Sequence, residues 1–259
     1  MLCGTISTNW MGRSRQKYTL LSKIRDSSVS VIIKNCFFLK GHMAKKSDEK
    51  QRNFGNSMRL ACMIQADKTH KEKVIEILSA CFEKNKTVNW IVKQDSKRKE
   101  RIKNLIDYSF EACIDAGQIF LTEDVTGVII CSNSDDKLPI LEEAYLTIHF
   151  VLKVTGIEGI GRALRREKYI NQFHPKDEEF IYIWFIGLEK TEQGRGVGSA
   201  MLQEVINRSN REKLPVYVET SNDRSLNFYK RHGFEMYHIS PEDMFGFKLY
   251  FLRKLPDTP

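Results

Sequence analysis

FIYIWFIGLE at residues 180–189, QGRGVG at 193–198 and SAMLQEVINRSNREK at 199–213 decide the fold. The first is an almost unbroken apolar run of the length and β-branched, aromatic composition of a buried strand. The last carries apolar residues at helical spacing. Between them, Gly194, Gly196 and Gly198 lack the Cβ atoms that would block close approach. A strand that turns through glycines straight into a helix builds an anion site, because the first N–H groups of the helix have no partner within it.

Two familiar phosphate loops do not fit this turn. A nucleotide-binding P-loop needs Lys directly before Ser or Thr, whereas Ser199 follows Gly198. The dinucleotide fingerprint spaces its glycines G-x-G-x-x-G, whereas here the order is G-x-G-x-G, late in the chain.

Working outward from the turn, PVYVETS (215–221) reads as the next strand and NDRSLNFYKRHG (222–233) as the next helix, with closing strands near 234–239 and 245–254. On the other side, residues 138–174 read as two or three short helices broken near Gly156, Gly159 and Gly161. Upstream, QIFLTE and TGVIICSN form a hairpin about a turn at 124–127. Ile102, Leu105, Ile106, Phe110 and Cys113 share one face of a helix that ends at Gly117. A first helix is expected behind a capping box from Thr69 to Glu72, with Val74, Ile77, Leu78, Cys81 and Phe82 inward, preceded by a strand, MRLACMI. This order predicts a mixed sheet with helices on both faces.

The 259 residues carry 41 Lys and Arg against 33 Asp and Glu, a formal net charge of +8. Residues 1–57 hold 11 basic and 3 acidic side chains, and the remaining 202 hold 30 of each. The basicity belongs to a polar extension, 1–57, and the body, 58–256, is a neutral domain. A nucleic-acid partner is therefore not expected. No stretch approaches the roughly 20 apolar residues of a membrane helix. The six cysteines show no C-x-x-C pair, so the expectation is reduced core residues of a cytoplasmic protein without a metal site.

Gln193, Gly196 and Gly198 spell Q-x-x-G-x-G, and VYVETSNDRSLNFYKRHGF adds a strand, an Asn, an aromatic-Tyr pair and G-F at the next strand. With these two blocks, roughly from Met58 to Lys254, the chain resembles the GNAT superfamily of acyl-CoA N-acyltransferases. The resemblance implies an α/β (α+β) fold: a mixed, mostly antiparallel sheet with splayed central parallel strands and a helical insertion between the third and fourth strands. It implies acetyl-CoA as co-substrate and a small-molecule or peptide amine as acceptor, in a monomer or homodimer.

Site roles follow from the resemblance. Backbone N–H groups of Gly194, Arg195, Gly196, Val197, Gly198 and Ser199, beside Gln193, would take the pyrophosphate, with Arg195 adding a fixed charge. Ile186 and Leu188 would meet the pantetheine arm, the Leu188 N–H facing the thioester carbonyl as an oxyanion donor. Asn227 would bind the same arm, and Tyr229 would protonate the departing sulfur. For the base, Glu219 is the first choice and Glu179 the other; His174, before a proline, reads as a turn residue. Tyr182, Trp184 and Ile186 would share one face of their strand. A longer-chain acyltransferase and a catalytically silent acyl-CoA sensor remain as alternatives.

Overall fold

The computed structural model describes residues 63–134 and 139–257. The basic extension 1–57 and most of the MRLACMI strand lie outside the described residues. The chain runs β1 (Met63–Gln65), α1 (Lys71–Phe82), α2 (Lys86–Ile91), α3 (Arg98–Ile114), β2 (Ile119–Thr122), β3 (Gly127–Asn133), α4 (Ile140–Phe150), α5 (Ile160–Asn171), β4 (Ile181–Leu188), α6 (Val197–Glu212), β5 (Val216–Thr220), α7 (Asp223–Arg231), β6 (Glu235–Ile239), α8 (Glu242–Phe245) and β7 (Tyr250–Lys254). The expected insertion between the third and fourth strands is α4 with its π-helical extension Val151–Thr155, followed by α5.

One seven-stranded sheet in the order β1-β2-β3-β4-β5-β7-β6 organises these elements. Every pair is antiparallel except β4 with β5. On one face α6 and α7 bury Met201, Leu202, Val205, Ile206 and Tyr229 against Ile129, Cys131, Ile181, Ile183, Val216, Val218 and Leu252. Each such aliphatic side chain contributes about 1.5–3 kcal/mol on leaving water, which anchors α6 firmly. On the other face α1, α3 and α4 cover Val128, Ile130 and Phe185, while α2, α5 and α8 pack an aromatic cluster over Phe251.

Two local expectations are corrected. The capping box in front of the first helix runs from Asp67 to His70, not from Thr69: Asp67 accepts from the Thr69 N–H at 2.8 Å and opens a 3-10 turn that leads into α1. Asp67 precedes Thr69 in the same polar cluster, and its carboxylate is the stronger acceptor. The short helices α2 and α8 were not anticipated, because six and four residues are too few to show a helical period.

Candidate active site

The central feature is a fork in the sheet. Strands β4 and β5 pair only at Ile181 with Val216 and Tyr182 with Tyr217, although β4 continues to Leu188 and β5 to Thr220. Along its other edge β4 stays paired to β3 up to Gly127 with Leu188. The register there slips, Ile130 facing Phe185 while Cys131 faces Ile183, so Trp184 is the extra residue of a β-bulge. Such a bulge bends and twists the strand that carries it, which accounts for β4 turning away from β5.

The fork exposes backbone. The Glu189 N–H donates to the Thr126 carbonyl, on the β3 side. Since N–H groups alternate sides along a strand, those of Leu188 and Ile186 point the other way, into the opening. The Leu188 carbonyl accepts from Cys81 Sγ at 3.1 Å.

At the open end stands the glycine turn. Gly194 and Gly196 have φ of +83° and +86°, conformations that cost an L-residue about 1–2 kcal/mol. Gly196 is the N-cap of α6 and no side chain caps the helix. The first intrahelical bond is Ala200 N–H to the Gly196 carbonyl, leaving the N–H groups of Val197, Gly198 and Ser199 without intrahelical partners. A Cβ on Gly198 would lie 3.2 Å from Leu188 Cδ1, so this glycine lets the helix start approach β4 closely. Arg195 is exposed and its guanidinium bonds Glu192 at 2.9 Å, so its charge is shared locally. The N–H groups of Gln193 and Arg195 bond the preceding carbonyls of Lys190 and Glu192.

The two faces of the fork differ in chemistry. On the α6–α7 face Tyr229 is 4 % exposed, packed edge-on against Phe228 and tilted against Phe234. Burial, then Cys131 and Glu219, push its phenol above the ordinary value, so it keeps its proton through neutral pH. Burial likewise pushes the Cys131 thiol up to about 12, which makes it inert. Asn227 lies on the exposed side of α7.

On the opposite face Glu219 has a side chain only 1 % exposed, accepting from Tyr182 Oη at 2.6 Å and bonded to His174 Nε2 at 2.8 Å. Burial opposes its ionisation, but His174, Tyr182 and Arg166 outweigh that and hold the carboxyl below the ordinary carboxylate value. Burial, reinforced by Glu219, drives the Tyr182 phenol well up. His174 is thus no solvated turn residue; its side chain is 10 % exposed and lies edge-on to Phe180, Tyr182 and Tyr217. A cavity beside this cluster is lined by Arg166, Glu167, His174, Tyr182, Trp184 and the end of β3. Glu179 is exposed, two residues before the start of β4.

Tyr182 and Trp184 line the same cavity as expected, but Ile186 does not share their face. Tyr182 meets Glu219, Trp184 packs on Tyr108 and stacks on its neighbour Phe185, and Ile186 packs on the α6 side. The bulge places two successive residues, Trp184 and Phe185, on one side and so reverses the alternation beyond them. Arg166 and Glu167 on α5 were missed, because charges on an amphipathic helix read as a solvated face. Among the described residues no group of three or more His, Cys, Asp or Glu could hold a metal ion, and no helix is long and apolar enough to cross a membrane.

The arrangement has known relatives. The sequence model of the Acetyltransferase (GNAT) family matches residues 71–234. An uncharacterised N-acetyltransferase of Schizosaccharomyces pombe is 23 % identical over 152 residues, covering 52 % of this chain and 58 % of the relative. The chain therefore spans little more than half the length of that curated relative. Among solved structures, a "histone acetyltransferase HPA2 and related acetyltransferase" from Corynebacterium glutamicum superposes with a TM-score of 0.55 at 20 % identity, over 76 % of this chain and 97 % of its own. Arylalkylamine N-acetyltransferase 2 from Aedes aegypti gives 0.54 at 12 % identity, over 76 % and 99 %. At such identities the structural likeness is one of fold alone, whereas the family match spans the strand, turn and helix described above. With that match spanning most of the chain, the protein belongs to the Acetyltransferase (GNAT) family.

Proposed function

We propose that the protein transfers an acetyl group from acetyl-CoA to an amine by direct attack, in the fork between β4 and β5. The observation that carries this reading is the parting of those strands beyond Tyr182 and Tyr217, with the uncapped start of α6 at the open end. Open N–H groups at Ile186 and Leu188 suit the amides of a pantetheine arm, and those of Val197, Gly198 and Ser199, beside Gln193, Gly194, Arg195 and Gly196, suit a pyrophosphate. Each such contact is worth a few tenths to about 1 kcal/mol from the helix dipole alone. The thioester supplies an activated carbonyl and a thiol leaving group; the protein supplies the rest.

His174 takes the proton of the acceptor amine, Glu219 fixing the ring through Nε2 so that Nδ1 is the receiving nitrogen. Glu219 itself is sealed behind His174 and Tyr182, so it acts as a positioning residue rather than the base. As the amine nitrogen bonds to the carbonyl carbon, the Leu188 N–H stabilises the developing oxyanion. Tyr229 gives its proton to the sulfur as the carbon–sulfur bond breaks, and its raised value keeps that proton in place until then. Asn227, on the exposed side of α7, is the weakest member of this set and would reach only the solvent-facing part of the arm.

The test is acetyl-CoA turnover over a panel of amines with detection of free thiol, supported by isothermal titration of CoA. Thiol release that requires an amine, and that falls in Tyr229→Phe without loss of CoA binding, is the expected result. Thiol release unchanged by Tyr229→Phe would remove the acid assignment, and absence of CoA binding would remove the reading of the fork.

A further inference from the structure

One charged group facing the fork is left unused by this reaction. Arg166 on α5 lines the same cavity as His174 and Tyr182. Its Nε is buried without a hydrogen-bond partner, and its guanidinium forms no ion pair with a described residue. Among the described residues, the carboxylates acting on it are engaged elsewhere. Glu219 is held by Tyr182 and His174, and Glu167 accepts from Asn171 Nδ2 at 3.2 Å, with burial pushing its carboxyl above the ordinary value. Both act on Arg166 only across space. Holding Glu219 ionised could be done by a solvated arginine; it does not call for an unmade buried hydrogen bond on a cavity wall, which is costly unless a ligand completes it.

We propose that Arg166 binds a carboxylate of the acceptor, so that the amine acetylated belongs to an amino-acid-like molecule rather than to a simple alkylamine. This rests on reading the fork as the acyl-transfer site. A planar guanidinium matches the two oxygens of a carboxylate. A doubly charged phosphate fits less well, since its second charge would face Glu167 in the same wall and Glu219 just behind it. The carboxylate on Arg166 and the amine toward His174 would together fix the acceptor's orientation, with Ser132 at the end of β3 in the same polar wall.

The experiment compares kcat/KM for acceptor pairs that differ only in the carboxylate: tyrosine with tyramine, histidine with histamine, lysine with cadaverine. The full chain with acetyl-CoA should favour the carboxylate-bearing member at least about 10-fold, through KM, as one charge-assisted contact allows. Arg166→Ala should bring that ratio to about one. Arg166→Lys, which keeps the charge but not the fork of donors, should give an intermediate ratio and guards against misfolding of the alanine variant. A ratio near one in the unaltered protein, or one that survives Arg166→Ala, overturns the inference. Titration of the N-acetylated products separates the two levels. Carboxylate-dependent product binding lost in Arg166→Ala, without turnover of any amine, would overturn acyl transfer and leave the Arg166 site standing; turnover with carboxylate-independent product binding would do the reverse.

Discussion

The two faces of the fork are made of opposite materials. Toward α6 and α7, Tyr229 sits among Cys131, Phe228 and Phe234, an environment that keeps a phenol protonated. Toward α5, Glu219, His174 and Tyr182 form a buried hydrogen-bonded network beside Arg166, in which a carboxylate stays ionised. One slot in one sheet thus separates a phenol that holds its proton from a carboxylate that has given its own up, the opposite surroundings that the proposed acid, Tyr229, and the proposed base, His174 held by Glu219, would need.

Substitutions that erase the contrast test it. The largest effect is expected from Glu219→Gln, which removes the charge between His174 and Tyr182 while preserving shape: kcat should fall ~10³-fold, read with a saturating amine. A kcat within a few-fold of the unaltered protein would show that the polar face is only structural. Next comes Tyr229→Phe, with kcat falling ~10²-fold and the melting temperature nearly unchanged, since a buried ring is kept. A smaller, donor-side effect should follow Gly196→Ala. No atom lies within 4 Å of the added Cβ, so the cost is backbone strain of about 1–2 kcal/mol at φ +86°. It should lower the melting temperature by a few degrees and raise KM for acetyl-CoA ~10-fold with kcat retained.

The smallest effect concerns acid. The Glu219 carboxyl lies below its ordinary value of 4.5 in the folded protein, so its stabilisation is complete above that pH and lost as pH falls through the lower folded value. Urea midpoints should therefore drop more steeply below about pH 4.5 in the unaltered protein than in Glu219→Gln. Parallel curves would mean that the pair contributes nothing to folding.

Much of the donor side was legible in the chain. Strand β4, the glycine turn and α6 are contiguous, and glycines at positive φ announce themselves by type, so 180–213 could be read as one unit. The polar face was not legible. His174 and Glu219 are 45 residues apart, and each looks ordinary in its own surroundings: a His before Pro, a Glu in a strand. Only the crossover that brings the end of α5 under β5 makes them a pair. Arg166 was hidden for the same reason, on a helix whose charges read together as a solvated face. The order of strands and helices was recoverable from periodicity, whereas α2 and α8 fell below the length at which a period can be seen.

Trp184 has a consequence beyond bending its strand. Before it, odd-numbered residues of β4 face α6; after it, even-numbered ones do. The bulge is a phase shift that lets a single strand serve two patterns, one zipped to β5 and one read from the gap. Deleting this one residue would restore a single phase with Ile186 and Leu188 still on the α6 side, but it would remove the bend that parts β4 from β5. Strand length here is therefore a constraint to the single residue, of a kind that no substitution at Trp184 can test.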